Sequence, residues 1–207
     1  MNRKLLLCAV GVAAGCGSSA RQPMTVEQMI VADPLPLAKG ARWTYNVTVK
    51  RFDPDSDKLT SRTLDWTTEV LDAQDSGGVT AFRVKGWPSD LAAIDDPATK
   101  PVPTERTLLR SGNSFLFGAT AQPTLDGAEG WFSWPVIDGQ KICPKREMVY
   151  CWQVAAVENG YAFTLFTGPD EQTFEIQPGT GVARFRYAHH GTTNEIEANL
   201  VSYSKGK

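Results

Sequence analysis

Alternation of apolar and polar side chains at every second residue is the feature that most limits how this chain can fold. Within Ala41–Phe52 the odd positions from Trp43 to Val49 are apolar and the even ones polar, as in a half-buried strand. Arg62–Ala73 repeats the pattern, and Gly, Pro or Asp/Asn turns separate most such segments. Further strands are predicted at 79–85, 105–110, 114–117, 140–143, 148–157, 161–167, 172–177, 182–189 and 195–203. We therefore predict an all-β domain, built as an antiparallel curved sheet, a sandwich or a partial barrel.

Two parts of the sequence match each other in order, which predicts an internal duplication. Pro36 and Gly40 open the first part as Pro135 and Gly139 open the second, with an apolar residue after each proline. The matched positions that follow are Trp66 with Trp152 and Phe82 with Phe163. We predict pseudo-repeats over residues 34–118 and 133–204, each covering the apolar face of the other.

The first fifteen residues have the layout of a secretory signal. Arg3 and Lys4 precede an apolar stretch that ends in small residues, and the stretch is shorter than the roughly 20 apolar residues that span a bilayer. Small and polar residues follow, so we predict a flexible tether over residues 16–33 and a single β-rich domain over residues 34–207. Only Thr25–Val31 has a helical pattern.

The signal ends in Val12-Ala13-Ala14-Gly15-Cys16, which resembles the bacterial lipobox, where small residues precede a cysteine that is diacylated before cleavage. The resemblance implies that Cys16 carries lipid and anchors the chain in a membrane. An ordinary signal that happens to contain a cysteine is the alternative, but it would leave an exported protein with an odd thiol. Gly17 follows the cysteine where inner-membrane retention signals have aspartate, which by resemblance favours the outer membrane.

The charge balance bears on the partners that this chain can have. The sequence has 21 Lys and Arg against 23 Asp and Glu, and removal of the signal leaves 19 against 23, a net charge of −4. No basic block interleaved with aromatic residues remains, which argues against nucleic acid as a partner. The predicted partners are the lipid bilayer, through Cys16, and an envelope protein, glycan or lipid ligand.

Cys143 and Cys151 are predicted to form a disulfide. With Cys8 removed and Cys16 acylated, these two remain in the mature chain. They flank a short hairpin turn, so they can face each other across antiparallel strands at a separation that suits a disulfide. Export to an oxidising compartment favours the bonded form.

His189 and His190 are the two histidines and the main candidates for catalysis. Adjacent side chains on a strand point to opposite faces, so the pair cannot complete a zinc site together, and we predict neither metal nor cofactor. Neither histidine has a hydrolase motif or a nucleophile nearby in sequence, although Asp126 or Asp138 could serve as a remote partner. We predict that the protein is not an enzyme, and an envelope hydrolase using one of these histidines is the trailing alternative.

The run Gly130–Pro135 is the densest aromatic segment. Exposed rings on a rigid β scaffold bind sugars, peptides or lipids through a large contact area, so Trp131, Phe132 and Trp134, together with Trp87, are candidate partner contacts. The alternative interpretation is that these rings fill the core at the seam between the two halves, because tryptophan is usually well buried.

Both ends of the domain resemble a group of uncharacterised bacterial envelope lipoproteins. The resemblance lies in Pro36-Leu37-x-x-Gly40-x-x-Trp43-x-Tyr45 and in Pro178-Gly179-x-Gly181-Val182 through Leu200-Val201-Ser202-Tyr203. It implies a β-rich envelope domain and no particular activity. We therefore expect a non-catalytic, membrane-anchored domain that binds a partner or supports envelope structure. The alternative is a carrier of lipid or another apolar ligand, in a cavity lined by Trp43, Trp66 and Trp152.

Overall fold

The alternating segments form antiparallel strands in the computed structural model, which describes residues 25–53, 56–94, 100–143, 150–190 and 194–207. In these ranges one α-helix, α1 (Val26–Val31), and one 3₁₀ helix, Pro88–Ala93, accompany twelve strands. The strands are β1 (Arg42–Asp53), β2 (Lys58–Ser76), β3 (Val79–Lys85), β4 (Glu105–Ser111), β5 (Ser114–Gly118), β6 (Glu129–Ser133), β7 (Lys141–Ile142), β8 (Trp152–Val157), β9 (Gly160–Phe166), β10 (Asp170–Gln177), β11 (Gly181–His189) and β12 (Asn194–Ser204).

All twelve described strands belong to one sheet, in which each strand runs antiparallel to its neighbours. The sheet runs from β6 back to β1, crosses to β12, and continues back to β7, so the first and last strands lie side by side. It curls into a nearly closed barrel, and its edge strands β6 and β7 border a common cleft without pairing in the described residues. The prediction of an all-β antiparallel curved sheet is confirmed, and its form is a barrel rather than a sandwich.

Two six-stranded meanders, β1–β6 and β7–β12, make up the barrel. Each begins with the same exchange of backbone hydrogen bonds. In the first meander Gly40 N donates to Val70 O at 2.8 Å, and in the second Gly139 N donates to Val154 O at 2.9 Å. In both cases the valine N–H donates in turn to the carbonyl of the residue after the glycine. Duplicated halves would share such contacts, and the duplication itself stays a prediction.

An aromatic core fills the barrel around Trp131, which is 1% exposed. Trp131 and Phe132 are consecutive on β6, yet both are buried. The register between β5 and β6 shifts between Phe115 and Leu116, and such a bulge re-aims the side chains of a strand. The rings that pack on Trp131 come from both meanders, with centroids 4.8–6.3 Å away; they are Trp87, Phe117, Phe132, Trp152, Phe163 and Phe174.

Residues 25–33 pack on the barrel, which corrects the prediction of a flexible tether reaching to residue 33. The predicted helix is confirmed, and Thr25 begins it with a capping box that satisfies backbone N–H groups of the first turn. The carbonyl of Ile30 accepts the indole N–H of Trp134 at 3.0 Å. Asp33 forms an ion pair at 2.6 Å with an arginine near the end of β4. The sequence did not predict this packing because the contacts that fix the segment to the barrel are with residues far along the chain.

Replacing Trp131 should destabilise the whole barrel, because its ring joins the two meanders. Trp131→Ala is expected to lower the free energy of unfolding by roughly 3–5 kcal/mol, measured by urea denaturation. Val201→Ala, at an exposed position of β12, is the matched control and should change it by less than about 0.5 kcal/mol. Similar small effects of both substitutions would show that Trp131 does not hold the core together.

Candidate functional site

The aromatic side chains predicted to contact a partner are buried, which corrects that prediction. Trp87, Trp131, Phe132 and Trp134 are each more than nine-tenths buried, so they cannot form an exposed patch. The strand β6 is the edge of the first meander. Its rings, and that of Trp134 just after it, pack on rings of the second meander. Their positions agree with the alternative interpretation, in which these residues fill the core at the seam between the halves.

The three tryptophans assigned to a ligand cavity are also committed to the core. The Trp43 ring stacks on Tyr203 with centroids 5.0 Å apart. Trp66 donates its indole N–H to the carbonyl of Gly86 at 2.8 Å, and Trp152 packs on the central aromatic cluster. The interior lining that the carrier hypothesis needs is therefore occupied by protein side chains.

A polar groove of about 400 Å³ lies on the outer face of β1, β12, β11 and β10. Val47 and Val49 of β1 are buried, so the residues between and after them, Thr48 and Lys50, face outward. The same alternation turns Glu195 and the other charged residues of β12 and β11 to the outside. The charged side chains that line the groove are Lys50, Glu171, Arg186, His190, Glu195 and Glu197.

Most charges in the groove have a partner of opposite sign. Lys50 Nζ lies 3.7 Å from the carboxylate of Glu195, and His190 Nε2 lies 3.8 Å from that of Glu171. Glu197 is bound by Arg184, just outside the groove, at 2.8 Å. A hydrogen bond from Asn199, followed by the charge of Arg184, lowers the pKa of Glu197. Each acidic residue of the groove is thus paired with a cationic or histidine side chain.

Arg186 differs from its neighbours in the groove. Its side chain is exposed, and among the described residues it forms no hydrogen bond or salt bridge. Glu197, directly opposite on β12, is held by Arg184 at 2.8 Å, and the charge of Arg186 makes the smallest of the contributions that lower the pKa of Glu197. A guanidinium presents a fork of N–H donors that matches a carboxylate. Arg186 is therefore the group in this groove that is best placed to take a ligand from outside.

A row of polar residues crosses the inner face of the sheet at one mouth of the barrel. Arg51 pairs with Asn194, Asn194 with His189, and His189 with Asp170, in direct register across four strands. Each of them is two or four residues from a buried apolar residue on its strand, so alternation places the row on the inner face. Asn194 donates to the carbonyl of Ile94 at 3.2 Å, which ties the row to the segment after the 3₁₀ helix.

Asp170 is the hub of this row. His189 Nδ1 lies 2.7 Å from its Oδ1, Tyr187 donates to the same oxygen at 2.8 Å, and Thr167 donates to Oδ2 at 3.4 Å. The hydrogen bond from His189, and then that from Tyr187, lower the pKa of Asp170. Sequence reasoning missed this carboxylate because it lies 19 residues from His189 and is brought beside it only by the β10–β11 register.

The histidines do not assemble a hydrolytic site with the partners proposed from sequence. Asp138 accepts the backbone N–H of Ala156 at 2.8 Å, and Asp126 lies in the loop between β5 and β6. His189 has an orienting carboxylate, but within the described residues no serine hydroxyl is hydrogen-bonded to it. As predicted for adjacent strand residues, His189 contacts the inner row while His190 lines the outer groove. Among the described residues the arrangement therefore orients an imidazole and places no serine hydroxyl on it.

A disulfide joins Cys143 and Cys151, whose Cα atoms are 4.4 Å apart. They follow the last β7 residue and precede the first β8 residue, so the bridge extends the short ladder in which Ile142 faces Trp152. Cys143 also borders a cleft of about 250 Å³ between β7 and the edge of β6. The bridge thus stiffens the barrel where its two edge strands do not pair.

The described residues also bear on the membrane and on metal ions. Cys16 and the signal lie outside the described residues. Within the described ranges no helix is long and apolar enough to cross a bilayer. In the same ranges no group of three or more His, Cys, Asp or Glu side chains is placed to hold a metal ion.

Comparison with known proteins gives structural similarity at low sequence identity. No family model matches the sequence, and no curated protein matches it. A Bacteroides fragilis protein, described as exported and as having a YmcC-like fold, is 12% identical, with a TM-score of 0.46 over 84% of this chain and 100% of its own. A protein described as a lipoprotein from Parabacteroides distasonis is 8% identical, with a TM-score of 0.42 over 84% of this chain and 99% of its own. TM-scores this low carry no argument about function, so the function has to be argued from the residues of this chain.

Asp170→Asn should weaken the fold in a pH-dependent way. Because the pKa of Asp170 is lower in the folded than in the unfolded chain, its carboxylate stabilises the fold above the unfolded-state pKa, and this contribution disappears as the pH falls through the folded-state value. We expect a loss of about 1 kcal/mol at pH 7 that shrinks below about pH 4, measured by urea denaturation across pH. Asp126→Asn, at an exposed loop position, is the control. The same pH profile for both variants would contradict the assignment.

Removing the disulfide should lower the free energy of unfolding by about 2–3 kcal/mol, because the bridge closes a short loop and restricts the unfolded chain. The double substitution Cys143→Ala with Cys151→Ala is compared with the wild-type protein by denaturation in oxidising and reducing buffer. Wild type in dithiothreitol should match the double variant. A wild-type protein whose stability does not respond to reductant would contradict a stabilising role for the bridge.

Proposed function

We propose that the protein is a lipid-anchored, non-catalytic binding domain of the bacterial envelope, which holds an acidic polypeptide segment in the groove around Arg186. The anchor is the acylated Cys16, and Gly17 favours the outer membrane. The barrel serves as a rigid support that presents the groove.

The observation that carries this proposal is the contrast between the filled interior and the outer groove. The interior is packed with aromatic rings around Trp131, which leaves the outer surface as the place for a partner. On that surface Arg186 is a cation whose nearest cross-strand carboxylate is already bound. Charge-assisted hydrogen bonds from arginine to carboxylate are among the stronger polar contacts in proteins.

The chemistry of the groove favours a peptide over a sugar or an apolar ligand. Its lining is polar and carries charges of both signs, in which Lys50 and Glu195 form one pair and His190 and Glu171 another. A sugar would be expected to stack on an exposed aromatic ring, whereas Tyr187, which borders the groove, directs its hydroxyl to Asp170 on the inner face of the sheet. An extended acidic peptide can place one carboxylate on Arg186 and its other polar groups on the flanking pairs.

The proposal is tested with two synthetic nonapeptides that differ only in having Asp and Glu or the matching Asn and Gln. The chain from residue 17 onward, secreted through an oxidising compartment, is titrated with each peptide and followed by ¹H–¹⁵N NMR. The acidic peptide should shift amide signals of β11 and β12 around the groove, and the amide peptide should not. Arg186→Gln should weaken binding roughly tenfold or more, and salt should weaken it further.

Arg83→Gln is the matched control, because Arg83 is an exposed arginine on β3, away from the groove. It should leave the affinity for the acidic peptide unchanged. Equal binding of both peptides, equal effects of the two arginine substitutions, or shifts confined to another face would each contradict the proposal.

A further inference from the structure

We infer that one end of the barrel rests on the lipid bilayer through the exposed apolar side chains of Ile30, Val31 and Ile137. This end, the base, is formed by α1 and by the turns at residues 77–78, 112–113 and 178–180. The inference rests on the proposed anchoring at Cys16 and adds to it an orientation and a lipid-contacting surface.

The N-terminal segment is fixed to the base by contacts with distant parts of the chain. The carbonyl of Ile30 accepts the indole N–H of Trp134 at 3.0 Å. The carbonyl of Asp33 accepts the N–H of Gly179 at 2.7 Å, and its carboxylate pairs with Arg110 at 2.6 Å. The point where the described chain begins is therefore held at this end of the barrel.

Three aliphatic side chains at the base remain exposed. Val31 is 85% exposed, Ile137 is 73% exposed, and Ile30 is about half exposed. Ile30 and Val31 border a cleft whose other wall includes Trp134 and Pro135, two residues before Ile137. The three side chains thus belong to one side of the base, around the site where the N-terminal segment joins the barrel.

The length of the chain between the lipid and the barrel limits how far the base can lie from the bilayer. Eight residues, 17–24, separate Cys16 from Thr25, and nine residue steps span at most about 30 Å. The opposite end of the barrel, where Leu59 faces Phe52, lies about 35 Å further along β1. An anchored molecule therefore keeps its base near the bilayer, where aliphatic side chains can enter the region between the headgroups and the acyl chains.

The charges around the patch are mixed in sign, so its apolar side chains make the proposed contact with the bilayer. Lys205 and Lys207 lie at the base, where the backbone N–H of Lys207 donates to the carbonyl of Lys39 at 2.9 Å. Glu27 is exposed on α1, and Asp138, next to Ile137, is engaged by the N–H of Ala156. The positive charges of the two lysines and the negative charges of the two acidic residues offset each other, so the patch does not depend on electrostatic attraction to lipid.

The inference is tested on the full lipidated protein, purified from membranes and placed in vesicles of phosphatidylethanolamine and phosphatidylglycerol at a ratio of about 3:1. An introduced cysteine is the one free thiol, because Cys16 is acylated and Cys143 is bonded to Cys151. Val31→Cys, Ile137→Cys and Leu59→Cys each receive an environment-sensitive fluorophore, and quenching by spin-labelled lipid is measured. Leu59 is the control, since it is an exposed aliphatic residue at the far end.

Quenching at positions 31 and 137 is expected to exceed that at position 59 by roughly threefold or more, as for side chains at the interface of a bilayer. Equal quenching at all three positions, or stronger quenching at position 59, would overturn the inference. Shielding of positions 31 and 137 without lipid quenching would identify a protein neighbour, such as a second copy, and would also overturn it. Unchanged thermal unfolding of each labelled protein shows that the substitutions leave the fold intact.

Failure of the anchor is measured separately. Partitioning of the wild-type protein into detergent, and its loss on Cys16→Ser, reports on lipidation and hence on the proposed function. A protein that partitions into detergent but shows no selective quenching at the base retains the anchor and refutes the orientation. A second pair of variants, Val31→Asp and Ile137→Asp, should reduce lipid quenching of a label at Ile30→Cys while leaving the detergent partition unchanged.

Discussion

The pairing of β1 with β12 is the contact on which the rest of the structure depends. It runs from Arg42 opposite Ser204 to Arg51 opposite Asn194, and it joins the two meanders that would otherwise be separate sheets. An isolated meander would expose its inner aromatic face to water, at a cost proportional to the apolar area. The buried hydroxyl of Tyr45 on β1 strengthens the junction by donating to the carbonyl of Val182 on β11 at 3.0 Å, and burial raises the pKa of this tyrosine.

The opposite seam is built differently. There β6 and the short β7 do not form a ladder in the described residues. Aromatic side chains pack across this seam, whereas backbone hydrogen bonds join β1 and β12 at the first seam. Phe132 packs on Phe163 with ring centroids 4.8 Å apart, and Trp134 packs on Tyr161 at 5.6 Å. The barrel is therefore closed on one side by backbone pairing and on the other by side-chain packing, which accounts for both the filled interior and the open cleft beside Cys143.

The two ways of closing the barrel also determine which surfaces remain available for a partner. Because the side chains that join the halves fill the interior, the proposed recognition of a partner has the outer surface and the ends of the strands available to it. The proposed groove lies where charged residues of β1, β10, β11 and β12 face outward, beside the junction that holds the barrel together. A binding surface on paired central strands is held more rigidly than one on loops, which favours a ligand that needs fixed geometry.

Local patterns predicted every described strand except β6, but they predicted the strand partners poorly. The alternation from Trp43 to Val49 fixes which side chains of β1 face the core, and the capping box at Thr25 is local too. Whether the sheet closes as a barrel or packs as a sandwich depends on which distant strands pair, and β1 meets β12 across most of the chain.

The same limit explains the functional residues that were missed or misplaced. Asp170 reaches His189 only through the register of two strands. A bulge between β5 and β6 buries both Trp131 and Phe132, where strict alternation would turn one of them outward. These features depend on long-range contacts, so no local sequence pattern predicts them.

Because β1 pairs with a strand far along the chain, the order of synthesis matters for this fold. The ribosome makes β1 long before β12, and one edge of β1 stays unpaired until β12 is available. Folding that depends on such distant pairing is slow. A product cut short before Asn194 would retain an open edge on β1 and an incompletely covered apolar face, two features that promote aggregation. The position of β12 thus makes its synthesis a condition for covering the aromatic core.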